Sequence, residues 1–577
     1  MLSLYSSSTI KASFHSSFPP LRSSPPPLSV GSHIRLVKRD HSVAAASGGV
    51  SMSTNRDSHG SSSQVAEPFF RSVLGQMETV YLNRNPTPRS VLELVRSVDD
   101  EQLCYDHLAF RTFGIGGYGI DSLASFFLDY GYTQMDELRF PAKKLRALWF
   151  APPHASAVPG GSGVDGPLPR VFISELLVEQ MSTQTQDVIR KYTETSPNGR
   201  KYAALSSALG SLPWEKPLSS EFEQLARESE YAAWTLANGY ALNHVTISVH
   251  RLKSHLNKIK KLNQFLEEKG FRLNSEGGVL KVLKAFRRKN QGISSTMLSL
   301  YSSSTIKASF RSSFPPLRSS PPPLSVGSHI RLVKRDHSVA AASGGVSMST
   351  NRDSHGSSSQ VAEPFFRSVL GQMETVYLNR NPTPRSVLEL VRSVDDEQLC
   401  YDHLAFRTFG IGGYGIDSLA SFFLDYGYTQ MDELRFPAKK LRALWFAPPH
   451  ASAVPGGSGV DGPLPRVFIS ELLVEQMSTQ TQDVIRRYTE TSPNGRKYAA
   501  LSSALGSLPW EKPLSSEFEQ LARESEYAAW TLANGYALNH VTISVHRLKS
   551  HLNKIKKLNQ FLEEKGFRLN SEGGVLK

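Results

Sequence analysis

The chain states one sequence twice. Residues 1–281 recur as 297–577 at a constant offset of 296, and only His15/Arg311 and Lys191/Arg487 differ. A repeat this exact fixes the domain count before any propensity is weighed: whatever one copy folds into, the other must fold into as well. Diverged repeats that share a fold carry scattered surface changes, which are absent here. A very recent tandem duplication or a gene-assembly error would each produce this pattern. Both copies reach the same Gly-Gly-Val-Leu-Lys at 277–281 and 573–577.

Within a copy the composition changes near residue 60. Residues 1–62 are rich in Ser and Pro, carry scattered Lys and Arg, and have no acid before Asp40. No compact apolar core of a secretory signal is present, so the segment reads as an organelle transit peptide, plastid-like in composition; a disordered tail without an address is the alternative. The expected organisation is a leader at 1–62, a globular unit at 63–281, a joint plus internal leader-like linker at 282–358, and a second globular unit at 359–577. A transit peptide acts only at an N-terminus, so the internal one can serve only as a linker.

The net charge of +13 invites a nucleic-acid reading. It sits in the wrong place for one. Lys11, Arg22, Arg35, Lys38 and Arg39, the same five positions of the second leader with Arg311 added, and Lys284, Arg287, Arg288 and Lys289 of the joint together exceed the net charge. The globular units are therefore close to neutral, and no basic groove is expected. No long uncharged apolar run suggests a membrane span. The two cysteines, Cys104 and Cys400, are one position repeated, so no disulfide framework is implied.

Apolar spacing predicts a helix over 67–82, with Pro68 in its first turn, and a second over 90–98 after Pro86 and Pro88 break the pattern. Tyr105–Phe113 (YDHLAFRTF) reads as a buried strand. Gly114, Gly116, Gly117 and Gly119 form a loop, Asp121 is placed to cap a helix over 122–130, and strands follow at 132–140, 145–150 and 169–178. A mostly helical stretch runs from Thr183 to Asn238, interrupted near Pro213 and Pro217. A second β-α-β then begins with a strand over 244–250, a helix over 253–269 and a return toward a strand over 271–281. The glycine loop GIGGYG matches a dinucleotide fingerprint only loosely, because no parallel β-α-β unit or ribose-binding acid follows it. The expected core includes Leu108, Phe110, Phe126, Phe127, Leu148, Phe150, Phe172, Ile173, Val245, Ile247 and Val249.

His107 and Arg111 lie four apart on one strand and so face one side, about 13 Å apart. A buried unpaired charge is costly, which asks for a reason. His244 opens the equivalent strand of the second β-α-β. Two imidazoles and a carboxylate with open positions form a platform for non-haem Fe(II). Spacing alone equally allows hydrogen-bonded core histidines, the reading kept for His33, His41, His59, His154 and His250. Glu175 or Glu179 could bring a carboxylate to such a site, or could pair with Arg or Lys at a surface edge.

The segments YDHLAFRTFGIGGYGIDSL, FFLDYGY, LRALWFAPP, RVFISELLVEQ and YALNHVTISVHRL, in that order, resemble the 2-oxoadipate dioxygenase/decarboxylase family, whose plant members carry plastid leaders. The resemblance implies an α+β fold of vicinal-oxygen-chelate-like βαβββ modules with added helices, in two tandem copies, the second module of each incomplete. It implies Fe(II) held by His107 and His244, and in the second copy by His403 and His540. Arg111 and Arg407 would recognise a substrate carboxylate, a task suited to the planar guanidinium fork. The partners implied are a small 2-oxo acid and dioxygen, and the reaction takes 2-oxoadipate to 2-hydroxyglutarate in lysine breakdown. The family's third ligand, a glutamate on a late strand of the second module, falls beyond the position of Lys281. The expectation is a weakened metal site, poor turnover and an open apolar sheet edge. The reading from another class is a non-catalytic plastid protein that acts through partner binding.

Overall fold

The computed structural model describes residues 9–11, 67–99, 103–153, 161–271, 363–395, 399–449 and 457–567. Each unit opens with helices α1 (Glu67–Arg84) and α2 (Pro86–Val98). Helix α2 starts four residues earlier than the spacing predicts. Pro86 and Pro88 occupy its first turn, where a missing N–H costs no hydrogen bond, so they begin the helix rather than break it.

The expected β-α-β-β-β module follows: β2 (Tyr105–Phe113), α3 (Ile120–Asp129), β3 (Thr133–Phe140), β4 (Leu145–Ala151) and β5 (Arg170–Leu176). Helices α4 (Thr183–Glu194), α5 (Ala203–Leu209), α6 (Ser219–Glu228) and α7 (Glu230–Asn238) fill the insertion. Strand β6 (Leu242–Ile247) and helix α8 (Ile259–Glu268) begin the second module. The sheet order is β3-β4-β5-β2-β6. Strands β2 and β5 run parallel and the other neighbours antiparallel, as the crossover through α3 requires. Strand β6 ends at Ile247, short of the predicted His250, because the chain turns into a 3-10 turn at Val249–Arg251. Helix α8 starts at Ile259 rather than near Lys253. The strand expected over 271–281 lies outside the described residues.

One face of the sheet carries Leu108, Phe110, Leu148, Phe150, Val171 and Ile173 against Phe126 and Phe127 of α3, and all are buried. Phe70 of α1 stacks on Phe126 at 5.3 Å, joining α1 to the same core. Two expected core residues depart from this. Phe172 and Val245 are only half-buried, Phe172 because its position on β5 faces the opposite side and Val245 because β6 is the sheet's edge.

The second unit repeats this with β7 (Tyr401–Phe409), β8 (Thr429–Phe436), β9 (Leu441–Ala447), β10 (Arg466–Leu472) and β11 (Leu538–Ser544). The Lys191/Arg487 difference is conservative: each side chain ion-pairs with the equivalent acid, Glu221 or Glu517. Among the described residues β6 is an edge strand. On β11 the equivalent edge is covered by β1 (Thr9–Lys11), paired antiparallel from Thr9↔Ser544 to Lys11↔Thr542. Regular structure inside the leader was not expected. Unpaired backbone groups on a sheet edge accept any extended segment, and sequence pattern does not say which one.

Candidate metal centre

The second face of the sheet is the polar one. Register places His107, Ala109 and Arg111 of β2 beside Arg170, Phe172 and Ser174 of β5, with Thr246 opposite His107 and His244 opposite Ala109. Neighbours in register share a face, so the predicted His107, His244 and Arg111 come together. The imidazole centroids are 5.7 Å apart with the rings at 76°. In the second unit His403 and His540 are 5.6 Å apart at 75°.

Two β-bulges set this geometry. Between the pairs Tyr105↔Ile247 and His107↔Thr246, β2 carries one extra residue, Asp106; between Ala109↔His244 and Phe110↔Leu242, β6 carries Asn243. A bulge re-aims the side chain beside it. Each extra residue also holds its histidine. His107 Nδ1 lies 3.0 Å from Asp106 Oδ2, and His244 Nδ1 lies 2.9 Å from Asn243 Oδ1. Both oxygens can only accept, so Nδ1 carries the proton in each ring and the lone pair falls on Nε2. Thr246 Oγ1 donates to His107 Nε2 at 3.1 Å. Asp106 is held in turn by the Arg170 guanidinium. Sequence reasoning missed Asp106, Asn243 and Thr246. The available signal was the acid or amide directly before each histidine, in Asp-His and Asn-His.

His244 is half-buried. Burial, reinforced by the nearby His107 and Arg111, pushes its pKa down to about 3. It is therefore neutral at physiological pH, the form that binds a metal. In metal-free protein the unfolded chain takes up this proton below about 6.5 and the folded chain only near 3. Stability is thus complete above 6.5 and is lost as pH falls through that window, by up to about 1.4 kcal/mol per pH unit. Melting temperatures of chelator-treated protein between pH 7 and 4 are expected to fall more steeply than those of His244→Asn. Equal slopes would contradict a neutral, desolvated imidazole at His244.

Arg111 lies over two aromatic rings of α7, 4.9 Å from the Tyr231 centroid and 5.0 Å from Trp234. Tyr231 is fixed by donating to the Ser174 carbonyl at 2.8 Å. Burial pulls the Arg111 pKa below its ordinary value, partly offset by Tyr231 and Glu230. Arg407 repeats the arrangement over Tyr527 and Trp530.

Glu175 does not join the site. It pairs with Thr112 in register and so faces the apolar side of the sheet. There its Oε2 accepts from the Ile120 N–H at 2.9 Å and its Oε1 takes the Arg146 guanidinium at 2.6 Å. It thereby serves the N-terminus of α3, the place expected for Asp121, which makes no capping bond and stands in the first turn. The glycine loop wraps this carboxylate: a Cβ on Gly119 would overlap Glu175 Oε2, and Gly116 and Gly117 take φ of 54° and 82°. Glu175→Gln is expected to lower stability by about 2 kcal/mol and to leave metal binding unchanged. Thermal melts and a Co(II) titration check both halves. Glu179 is exposed on a 3-10 turn. Among the described residues no group of three His, Cys, Asp or Glu is placed to hold a metal. His33, His41, His59 and His154 lie outside them, and His250 is exposed. No described helix is long and apolar enough to cross a membrane.

A sequence model of the family described as 2-oxoadipate dioxygenase/decarboxylase matches residues 73–292 and 369–576. The first match continues past Lys281, into the segment expected to be joint. A chloroplastic 2-oxoadipate dioxygenase/decarboxylase of Arabidopsis thaliana is 82% identical over 289 residues, covering 49% of this chain and 78% of that protein. A chloroplastic/amyloplastic relative of the same name from Oryza sativa subsp. japonica is 63% identical over 217 residues, covering 38% of this chain and 59% of that protein. The structure of the Oryza sativa hydroxyglutarate synthase in complex with 2-oxoadipate is 58% identical, covers 39% of this chain and 73% of that one, and superposes with a TM-score of 0.37. The plastid address expected from the leader agrees with the names of both plant relatives. The non-catalytic reading gains nothing, since these relatives are named as enzymes. With the ordered motifs, the β-α-β-β-β module and the family match all repeated in both halves, the chain is an enzyme of the 2-oxoadipate dioxygenase/decarboxylase family.

Proposed function

We propose that each unit carries out the Fe(II)-dependent oxidative decarboxylation of a 2-oxo acid, converting 2-oxoadipate and O2 to 2-hydroxyglutarate and CO2 in plastid lysine breakdown. The observation that carries this is the imidazole pair: two Nε2 lone pairs on adjacent strands, fixed by Asp106 and Asn243. That donor set fits two positions of a non-haem iron site. His107 and His244 would hold the ion in the first unit, His403 and His540 in the second. Bound there, Fe(II) supplies Lewis acidity and the electrons for activating O2.

The chain's own groups do the rest. Asp106 and Asn243 fix the proton on Nδ1 of each histidine, and Arg170 ion-pairs with the Asp106 carboxylate and aims it. Arg111 offers a charged fork to the substrate carboxylate that is not at the metal. Tyr231 and Trp234 hold that fork by cation–π contact and partly shield it from water, which strengthens the ion pair. Phe172, 6.4 Å from the His107 ring, lines the same face with apolar surface.

A third, carboxylate ligand would come from outside the described residues. After Lys281 the first unit continues as VLKAFRRKNQGISST and then a second leader. Metal retention is therefore expected to be weak, by at least the 10–100-fold that loss of an outer-shell partner costs. Oxygen uptake with 2-oxoadipate, assayed beside the Arabidopsis relative, tests this. Slow, Fe(II)-dependent uptake with one CO2 released per O2 is the expected result. Uptake independent of iron, or without CO2, would overturn the reaction; turnover equal to that of the relative would overturn the weakened site.

A further inference from the structure

The two units meet through one face, used twice. On the first unit it comprises the C-terminal end of α3, the segment entering α5, and part of α1. The Tyr202 ring lies against Phe422 and Tyr426, with centroids 5.3 and 5.9 Å away, and its hydroxyl donates to the Asp425 carboxylate at 2.6 Å. Lys201 ion-pairs with the same carboxylate, and the Asn198 amide donates to the Asp425 carbonyl. Every contact has its reciprocal. Tyr498 lies against Phe126 and Tyr130 at 5.2 and 5.9 Å and donates to Asp129 at 2.6 Å, Lys497 pairs with Asp129, and Asn494 donates to the Asp129 carbonyl. Two hydroxyl pairs complete the face, Ser72 with Ser507 and Ser211 with Ser368, each at 2.6 Å.

We propose that this face is a self-association surface whose partner is a second copy of the same unit, so that the tandem chain closes internally what single units would form as a homodimer. Residue i meeting j while j meets i is the mark of an isologous, two-fold contact, which only a self-complementary patch can make. The connection does not impose it. Residues 282–358 could span on the order of 250 Å when extended, so many other pairings lie within reach.

The chemistry suits a specific interface. The Asp129 carbonyl belongs to the last turn of α3, where helix carbonyls lack intrahelical donors, and the partner's asparagine supplies one. The same asparagine–lysine–tyrosine cluster engages both the backbone and the side chain of one aspartate. Each half-buried tyrosine packs against two aromatic rings and satisfies its hydroxyl, the character of an energetic anchor. None of the contact residues belongs to the imidazole pair or to the Arg111 cation–π cluster, so the surface can be altered without touching the site.

The test uses the whole chain with a specific protease site inserted within 282–358. After cleavage, the two fragments are expected to co-elute in gel filtration at the volume of the uncut 63.8 kDa chain. Asp129→Lys with Asp425→Lys places like charges opposite Lys497 and Lys201 and is expected to separate them. Adding Lys201→Asp and Lys497→Asp reverses both pairs and is expected to restore co-elution, which shows that the altered units still fold. As an independent reading, Ser72→Cys with Ser507→Cys is expected to form a disulfide that the double Asp→Lys change suppresses. Separation of the unaltered fragments, co-elution that survives the double Asp→Lys change, or a charge swap that fails to restore it would each contradict the proposal.

Discussion

Replacing His107 and His403 together with alanine is expected to reduce Fe(II)-dependent oxygen uptake to background, and replacing His107 alone to halve it. The halving follows from the repeat. The two sites are built from identical residues and have the same ring geometry, 5.7 Å and 76° in one, 5.6 Å and 75° in the other. Each unit should therefore contribute equally. The complete loss follows from the donor set, since a metal held by two imidazoles cannot spare one. The folding cost should be smaller, about 1–3 kcal/mol per site, because removing His107 takes one hydrogen bond each from Asp106 Oδ2 and Thr246 Oγ1 while Arg170 still holds Asp106. Melting curves should thus show folded variants. A single-site variant that kept full activity, or lost all of it, would contradict two independent equivalent sites.

The second large effect is expected at Arg111. Arg111→Lys, with Arg407→Lys, should raise KM for 2-oxoadipate roughly 10–100-fold, the equivalent of losing one charge-assisted contact worth about 1.5–3 kcal/mol. Lysine keeps the charge but is a point donor without the planar fork that lies over Tyr231 and Trp234, so the substitution is not conservative. The loss should be specific to substrates with a second carboxylate. Steady-state kinetics with 2-oxoadipate and with 2-oxohexanoate, which lacks it, separate the two. The variant should lose its preference for the diacid while kcat/KM for the monoacid stays unchanged. An equal drop for both would assign Arg111 a structural role instead.

The reading of Tyr105–Phe113 as a strand was complete to the residue, because six of its nine positions are apolar, aromatic or β-branched and the segment lies between turn signals. The pairing of His107 with Arg111 on one face followed from the two-residue period. What period cannot give is register. Glu175 is adjacent in sequence to Ser174, which shares the Arg111 face, and only the pairing Thr112↔Glu175 shows that the carboxylate points to the other side. The bulges at Asp106 and Asn243 were equally hidden. An extra residue in a strand leaves no periodic trace, yet it aims both histidines and fixes their protons. The helix start at Ile120 was misplaced for a related reason: its N-terminus is served by a carboxylate 55 residues away rather than by a local cap. Distant partners of this kind become visible only once the sheet is assembled.

The most direct measurement is the number of Co(II) ions held by the chain in equilibrium dialysis with 2-oxoadipate present. Two ions per chain are expected. His107→Ala with His244→Ala should leave one, and adding His403→Ala with His540→Ala should leave none. Two ions retained after all four substitutions would contradict the claim that the paired imidazoles of β2 and β6, and of β7 and β11, are the metal-holding groups.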